Sequence, residues 1–560
     1  MKVFVKGQPA PVDLDNNSFL ASGGEAQIFS RGKTAYKIYH DPKKSLSVSK
    51  IQELSEITSH NIIKPIDILI DKNNKPVGYT MQYIKDTYSL CQLFTKSFKS
   101  RNSVTRDMII DIVKIMQKGI SHIHSKGILI VDLNELNFLV SKNFDNVYFI
   151  DVDSYATKNF PATALMESIR DRHSIVFSEL TDWFSYAVVS FQLFIGIHPF
   201  KGTHPSIKDL DDRMIKNISV FNHHVSIPKI CESFSVIPDV YKAWYKSVFE
   251  DGKRSIPPSL DGAVIIVPIT VLKSVTGSSV FVISEIENYY DDILYFGSVE
   301  GIDYTITKKG LYSHGILDDK VKTGSHLSIT PRMNHLISCS ANNGMLELYN
   351  VSRGVKIDAS IACESLMGYK GRVYVKNDLD IFELTFVEMP SNTFVSAVHV
   401  GNVMPQATKL MDGVVLQDLL GSWYASVFPS SKSCYQIRLK EFDGYQLVDA
   451  KFDSGVLMVI GVKKGQYDRF IYRLSKDYTS YDLRIVDKIT YSGLNFVVLD
   501  NGICASINED EKLELFSADK NSNAIKVVED SMISGDIRLF KRGTQTLFSS
   551  GGKLFTISMK

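Results

Sequence analysis

The sequence predicts a chain in two parts, an α+β region followed by an all-β region. Three observations predict it. Before the Pro257-Pro258 pair, short β-like runs alternate with helical ones; after residue 263 helical periodicity nearly vanishes; and one strand type recurs through that second half. With 560 residues, 44% hydrophobic and 22% charged, the chain has ample material for large cores, which excludes a disordered or collagen-like polymer. The proline pair sets the boundary, giving an N-terminal segment 1–14, an α+β region 15–262 and an all-β region 263–560.

In the first region, Ile109, Ile110, Val113, Met116, Ile120 and Ile123 recur at helical spacing and predict a helix over Val104 to Ser125. The most apolar stretch, Trp183 to Phe200, is interrupted by Ser185, Ser190, Gln192 and His198. It reads as a buried helix, because a bilayer span needs about 20 predominantly apolar residues. In the second region Ile302, Leu346, Leu379, Tyr435, Phe470, Leu513 and Leu554 mark seven repeats, expected in one register and about 42 residues apart on average. That spacing fits a four-stranded propeller blade, so the expectation is a β-propeller of seven blades, with a strand around Val264 to Leu272 completing the last one. A pair of β-sandwiches is the alternative.

The 63 Lys plus Arg against 62 Asp plus Glu leave a net charge of +1, which gives no reason to expect nucleic acid or an anionic membrane as a partner. Cys91, Cys231, Cys339, Cys363, Cys434 and Cys504 are scattered without a C-x-x-C pair, arguing against a zinc module or disulfide framework and for a reducing, cytoplasmic setting. The N-terminus turns polar within a few residues, so no export signal is expected.

The chemistry-bearing residues follow one another in a telling order. A glycine-containing strand turn, LASGGEAQIF, precedes an isolated Lys37 among apolar neighbours; an Asp-x-x-x-x-Asn run places Asp132 and Asn137 in one loop; and VYFIDVDSY puts Asp151 at the end of an apolar strand. Phosphoryl transfer from ATP needs such parts: a backbone cover for phosphates, a cation, a carboxylate to orient the attacking hydroxyl, and metal ligands.

On these residues, about 15 to 262 resemble the protein kinase superfamily. The resemblance implies a two-lobed kinase-like domain that uses ATP and Mg²⁺. Gly23, Gly24 and Ala26 would belong to the phosphate-covering loop, with Ala21 and Ala26 where glycine is usual. Lys37 would bridge the phosphates and a helix carboxylate, Glu53 first and Glu56 as the alternative. Met81 would be the gatekeeper, and the backbone of Gln82 to Ile84 would face adenine. Asp132 would be the catalytic carboxylate, Asn137 and Asp151 the metal ligands. Asp182 in LTDWFSY matches an aspartate that ties a central helix to the catalytic-loop backbone. His198, Pro199 and Phe200 match the H-P-F that follows that helix, and Arg254 matches a buried ion-pair arginine, with Glu167 as its expected partner.

Ile130 and Val131 stand where His and Arg are usual, Asn134 replaces a lysine, and Asp153 replaces the glycine of D-F-G. The D-x-D is similar to a divergent bacterial and phage kinase-like branch, and also to aminoglycoside and choline phosphotransferases. The resemblance implies a protein kinase, Ser/Thr-directed, whose propeller binds a protein substrate or partner. A pseudokinase scaffold acting through its propeller and a small-molecule phosphotransferase are the other readings.

Overall fold

Along Thr34–Tyr39 the side chains of Ala35, Lys37 and Tyr39 face one way and those of Tyr36 and Ile38 the other, and all five are buried. A strand buried on both faces belongs inside a sheet. The computed structural model describes residues 1–260, 280–299, 301–313, 315–389, 392–490, 493–520, 524–530 and 532–559. In it, β1 (Lys2–Val5), β2 (Pro11–Asp13), β3 (Phe19–Ser22), β4 (Ala26–Arg31), β5 (Thr34–Tyr39), β6 (Ile68–Ile70) and β7 (Pro76–Gln82) make one antiparallel sheet, ordered β2-β1-β6-β7-β5-β4-β3. Residues 1–14, set apart in the sequence reading, are part of this sheet, because β1 pairs with both β2 and β6. One face buries Val3, Phe19, Phe29, Tyr36, Ile38 and Leu69. Against the other, α1 (Val48–Ser55) packs Ile51 onto Ala26, Tyr39, Ile68 and Tyr79.

Below this sheet lie β8 (Thr87–Ser89), α2 (Lys96–Arg101), α3 (Arg106–His124), β9 (Phe138–Ser141), β10 (Val147–Phe149), α4 (Glu179–Ile195), α5 (Leu210–Ile215) and α6 (Asp239–Phe249). α3 falls within the expected helix and starts where the Thr105 hydroxyl accepts the Met108 N–H at 3.3 Å. α4 is buried from Thr181 to Ile195. Its polar groups are satisfied internally: the Tyr186 hydroxyl reaches Val113 O at 3.0 Å and Tyr241 OH at 2.8 Å, and Ser190 Oγ donates to Tyr186 O at 2.6 Å. Among the described residues no helix is long and apolar enough to cross a membrane. α3 approaches β10 so closely that a Cβ on Gly119 would sit 2.5 Å from the Phe149 ring.

From Phe281 onward the described regular elements are strands, apart from one short 3-10 turn, in seven four-stranded antiparallel sheets. Six use consecutive strands, over 293–318, 326–357, 365–402, 408–438, 446–486 and 496–528. The seventh joins the last three strands, 538–559, to Phe281–Asn288, which pairs with Lys553–Met559. Val264 to Leu272, the expected completing strand, lies outside the described residues, and Phe281–Asn288 holds that place. Seven sheets agree with seven repeats, but the single register does not hold. Leu346, Phe470, Leu513 and Leu554 are buried in third strands, whereas Ile302 is in a second strand, Tyr435 in a fourth and Leu379 in a turn; Leu379 and Tyr435 are 39% and 42% exposed. A turn-flanked apolar residue looks the same on paper whichever strand of its sheet it begins.

The leading strands of these sheets face one another. Lys541 of the seventh sheet donates to Asp453 Oδ1 of the fifth at 2.8 Å and to Val498 O of the sixth at 2.6 Å. The Ser454 N–H donates to Tyr369 OH of the third at 3.1 Å, and Arg538 donates to Leu294 O of the first at 3.0 Å.

The second region docks on both parts of the first. Val448, Ile460, Val462, Tyr467 and Ile489 join the apolar core around α3 and α4, while Ala407 joins the cluster on the seven-stranded sheet. Arg101 of α2 pairs with Asp449 at 2.8 Å and Asp412 at 3.1 Å. Near β3, the Ser22 N–H donates to Asp418 Oδ2 at 3.3 Å and Gln406 Nε2 to Asn17 O at 3.1 Å.

Candidate functional site

The β5–β7 register sets Lys37 opposite Tyr79, so both side chains point into the space between the sheet and the loop after β10. There Lys37 Nζ lies 2.7 Å from Asp151 Oδ1 and 3.0 Å from each oxygen of Asp153. The Tyr79 hydroxyl donates to Asp153 Oδ1 and the Tyr39 hydroxyl to Asp153 Oδ2, both at 2.6 Å. The side chains of Lys37 and Asp153 are only 6% and 7% exposed, whereas that of Asp151 is 50% exposed. Burial opposes charge on Lys37, but Asp153 and Asp151 outweigh it and hold the ammonium above the usual lysine range. Burial likewise pushes Asp153 up, and Lys37 with the two tyrosine hydroxyls overcomes it, leaving the carboxyl below its ordinary value.

Asp132 sits in the loop between α3 and β9. That loop takes its shape from Asp182 of α4, which accepts the Ile130 and Val131 N–H groups at 2.8 and 2.9 Å and bonds His124 Nε2 at 2.9 Å. The grip matters because Val131 has φ 64°, a left-handed conformation that is costly for a β-branched residue. Asn137 Nδ2 donates to Asp132 O at 2.9 Å, and Asn137 O accepts the Ile150 N–H at 3.0 Å, so this loop is tied to the strand end before Asp151. Asp151 itself turns at φ 59°. Asp132 Oδ1 accepts the Met166 N–H at 2.7 Å, while Asn137 Nδ2 lies at a long 3.4 Å from its Oδ2. Burial raises the Asp132 pKa, hydrogen bonds from Asn134 and the Met166 amide oppose this, and the charge of Asp151 adds to it.

Gly23, Gly24, Met81, Gln82, Ile84, Asp132, Asn137 and Asp151 line one cavity, which extends along leading-strand residues of the second region such as Leu294, Leu410, Lys451 and Lys541. Three expectations need correction. Glu53 does not meet Lys37: its carboxylate accepts Asn159 Nδ2 at 2.6 Å and the Asn159 N–H at 3.3 Å at the surface. The buried positions of α1 are Lys50, Ile51 and Leu54, which turn Glu53 off the inward face, and Glu56 is exposed at the helix end. Ala26 is packed beneath the loop against Tyr39, Ile51 and Tyr79, away from the cavity wall. Arg254 pairs not with Glu167 but with Asp171, two nitrogens each 2.6 Å from its oxygens; Glu167 meets Arg170 and Arg172 at the surface.

Sequence reasoning missed Asp153, Tyr39 and Tyr79 as one buried cluster. The available signal was the alternation in TAYKIY, which puts Tyr39 on the face of Lys37. It also missed Glu135, fully buried beside Asp132, whose Oε1 accepts the Tyr467 hydroxyl of the second region at 2.7 Å.

No protein-family model matches the chain, and no curated protein matches it. The chemistry of the site therefore rests on its own atoms. Lys37 can neutralise an anionic group; Asp151 and Asn137 offer hard oxygen donors of the kind Mg²⁺ prefers; Asp132 can accept a proton. Among the described residues no group of three or more His, Cys, Asp or Glu could hold a metal alone. A cation here would need ligand oxygens as well, which is how Mg²⁺ is commonly held beside phosphates.

Proposed function

We propose that the chain is an ATP- and Mg²⁺-dependent protein kinase directed at Ser or Thr hydroxyls, with its seven sheets closed into a seven-bladed propeller that binds the substrate or a protein partner. The observation that carries the reading is the bond from the buried Lys37 to Asp151, which lines one cavity together with Asp132 and Asn137. Lys37 would hold the α- and β-phosphates under the Gly23-Gly24 backbone, with adenine between Met81 and the backbone of Gln82 to Ile84. Asp151 and Asn137 would hold Mg²⁺, which when bound neutralises charge on the phosphates. Asp132 would orient the acceptor hydroxyl and take its proton on Oδ2, the oxygen with the weaker contact. For the propeller, support comes from the bonds among leading strands and from the last sheet's use of Phe281–Asn288.

A scaffold without transfer activity is the second reading. It is favoured by the Met166 N–H on Asp132 Oδ1 and by the turn at Gly465, where a Cβ would fall 2.6 Å from Ser168 Oγ and 2.8 Å from Met166 Sδ. Full-length protein incubated with γ-labelled ATP and Mg²⁺, alongside Asp132→Ala and Asp151→Ala, tests the proposal. Transfer to protein that both substitutions abolish supports it, and label that both leave intact defeats it. Nucleotide binding without transfer gives the scaffold reading, and ATP consumed only with metabolite pools gives a small-molecule phosphotransferase.

A further inference from the structure

We infer that Asp153 is the residue that positions Lys37, in place of a carboxylate from α1, and that it is not a ligand for the metal. The inference deepens the phosphotransfer reading and rests on it for its functional consequence.

Asp153 has no acceptor site to spare. A carboxylate offers two in-plane lone pairs on each oxygen. On Asp153, Oδ1 takes Lys37 Nζ and the Tyr79 hydroxyl, and Oδ2 takes Lys37 Nζ and the Tyr39 hydroxyl. All four sites are filled by protein donors, and the side chain is 7% exposed. A cation could bind there only by stripping bonds from a buried anion, a costly exchange. Asp151, two residues away, has the opposite character: half of its side-chain surface is open, and Lys37 touches only Oδ1.

Lys37 is equally full. Its three N–H groups face Asp151 Oδ1 and both Asp153 oxygens. To touch a phosphate it must release one acceptor, and only the contact to the exposed Asp151 can be given up without unpairing a buried charge. Asp153 then remains as the fixed, two-point anchor while the third N–H of Lys37 becomes available.

α1 cannot supply that anchor. Glu53 is engaged with Asn159 at the surface, and the buried charged residue that α1 turns inward is a lysine, Lys50, not an acid. The helix position that would carry an acid is therefore relieved of the task, and Lys37 is held without any movement of α1.

The test uses the full-length chain with Asp153→Asn, the milder Tyr79→Phe and Asp151→Asn, following phosphoryl transfer at varied ATP and varied Mg²⁺. Asp153→Asn should raise the KM for ATP about tenfold or more, and Tyr79→Phe about threefold in the same direction. Both should leave the Mg²⁺ concentration for half-maximal rate within about twofold, a requirement that Asp151→Asn should raise at least tenfold. If Asp153→Asn instead raises the Mg²⁺ requirement as Asp151→Asn does, Asp153 is a metal ligand and the inference fails. A thermal-unfolding cycle needs no nucleotide. Lys37→Met combined with Asp153→Asn should shift the melting temperature far less than the sum of the two single shifts, whereas Lys37→Met with Glu53→Gln should be additive. Additive shifts for the first pair overturn the anchor. A wild-type chain that neither binds nor uses ATP defeats the phosphotransfer reading, while the cycle still decides whether Asp153 holds Lys37.

Discussion

Under the proposed function, Asp132 sets folding against catalysis within one side chain. Its pKa is raised by burial, so the folded chain prefers the protonated form in a pH range where the unfolded chain has already ionised. The stability it leaves intact below the ordinary carboxylate pKa is lost as pH rises through its folded pKa, and the loss then stays constant. Asp132→Asn, which keeps an acceptor for the Met166 N–H, should raise the melting temperature at neutral pH, an advantage that disappears below about pH 4. Phosphoryl transfer should fall by about 10² to 10⁴ in the same variant. Melting curves across pH together with rates check both halves. Asp171 gives the opposite sign. Burial pushes its carboxyl up, but Arg254 outweighs burial and leaves it below its ordinary value, so its contribution is present at neutral pH and lost as pH falls through the folded pKa. Asp171→Asn should cost about 3 kcal/mol in urea unfolding at neutral pH, since it leaves a guanidinium without its anion. At this scale Lys37, Asp132, Asn137 and Asp151 were legible, because each sits at a fixed distance from a strand or loop signal. Asp153 was not, because its partners Tyr39 and Tyr79 come from strands more than seventy residues earlier.

Among the elements, α1 was the least legible. Its existence follows from Ser47, whose hydroxyl accepts the Lys50 N–H at 3.2 Å, but its rotation is fixed by Ile51 and Leu54 seeking the core. The sequence of α1 alone cannot distinguish Glu53 facing Lys37 from Glu53 facing Asn159. Glu53→Gln should therefore leave the KM for ATP within about twofold, as expected for an exposed pairing. α3 makes the complementary case. Its apolar spacing announced it, but its closeness to β10 depends on Gly119. Gly119→Ala would drive a methyl into the Phe149 ring, 2.5 Å away, just ahead of Asp151. An overpacking cost of about 1 to 3 kcal/mol is expected, with a fall in transfer rate as the strand end shifts. Denaturant unfolding and steady-state rates measure the two effects.

For the whole molecule, the division into an α+β and an all-β half and the number of sheets were both visible in the rhythm of apolar runs. The docking of one half on the other was not, since Tyr467, Asp449 and Gln406 carry no pattern that names their partners. Sharing one apolar cluster between α3, α4 and the fifth sheet predicts a single cooperative thermal transition for the full chain, not two. Tyr467→Phe should destabilise the fold by about 1 to 3 kcal/mol and so lower that transition temperature. It removes the donor from Glu135 Oε1, and the other Glu135 oxygen is already buried without a partner. Calorimetry of the two proteins decides it.

The proposed function depends on where one nucleotide and one cation sit in the cleft. The most direct measurement is a diffraction structure of the full chain with Mg²⁺ and a slowly hydrolysed ATP analogue. The account predicts the cation on Asp151 and Asn137, with the α- and β-phosphates on Lys37 and Asp153 still bonded to that lysine. A nucleotide bound elsewhere, or a cation coordinated by Asp153, would contradict it.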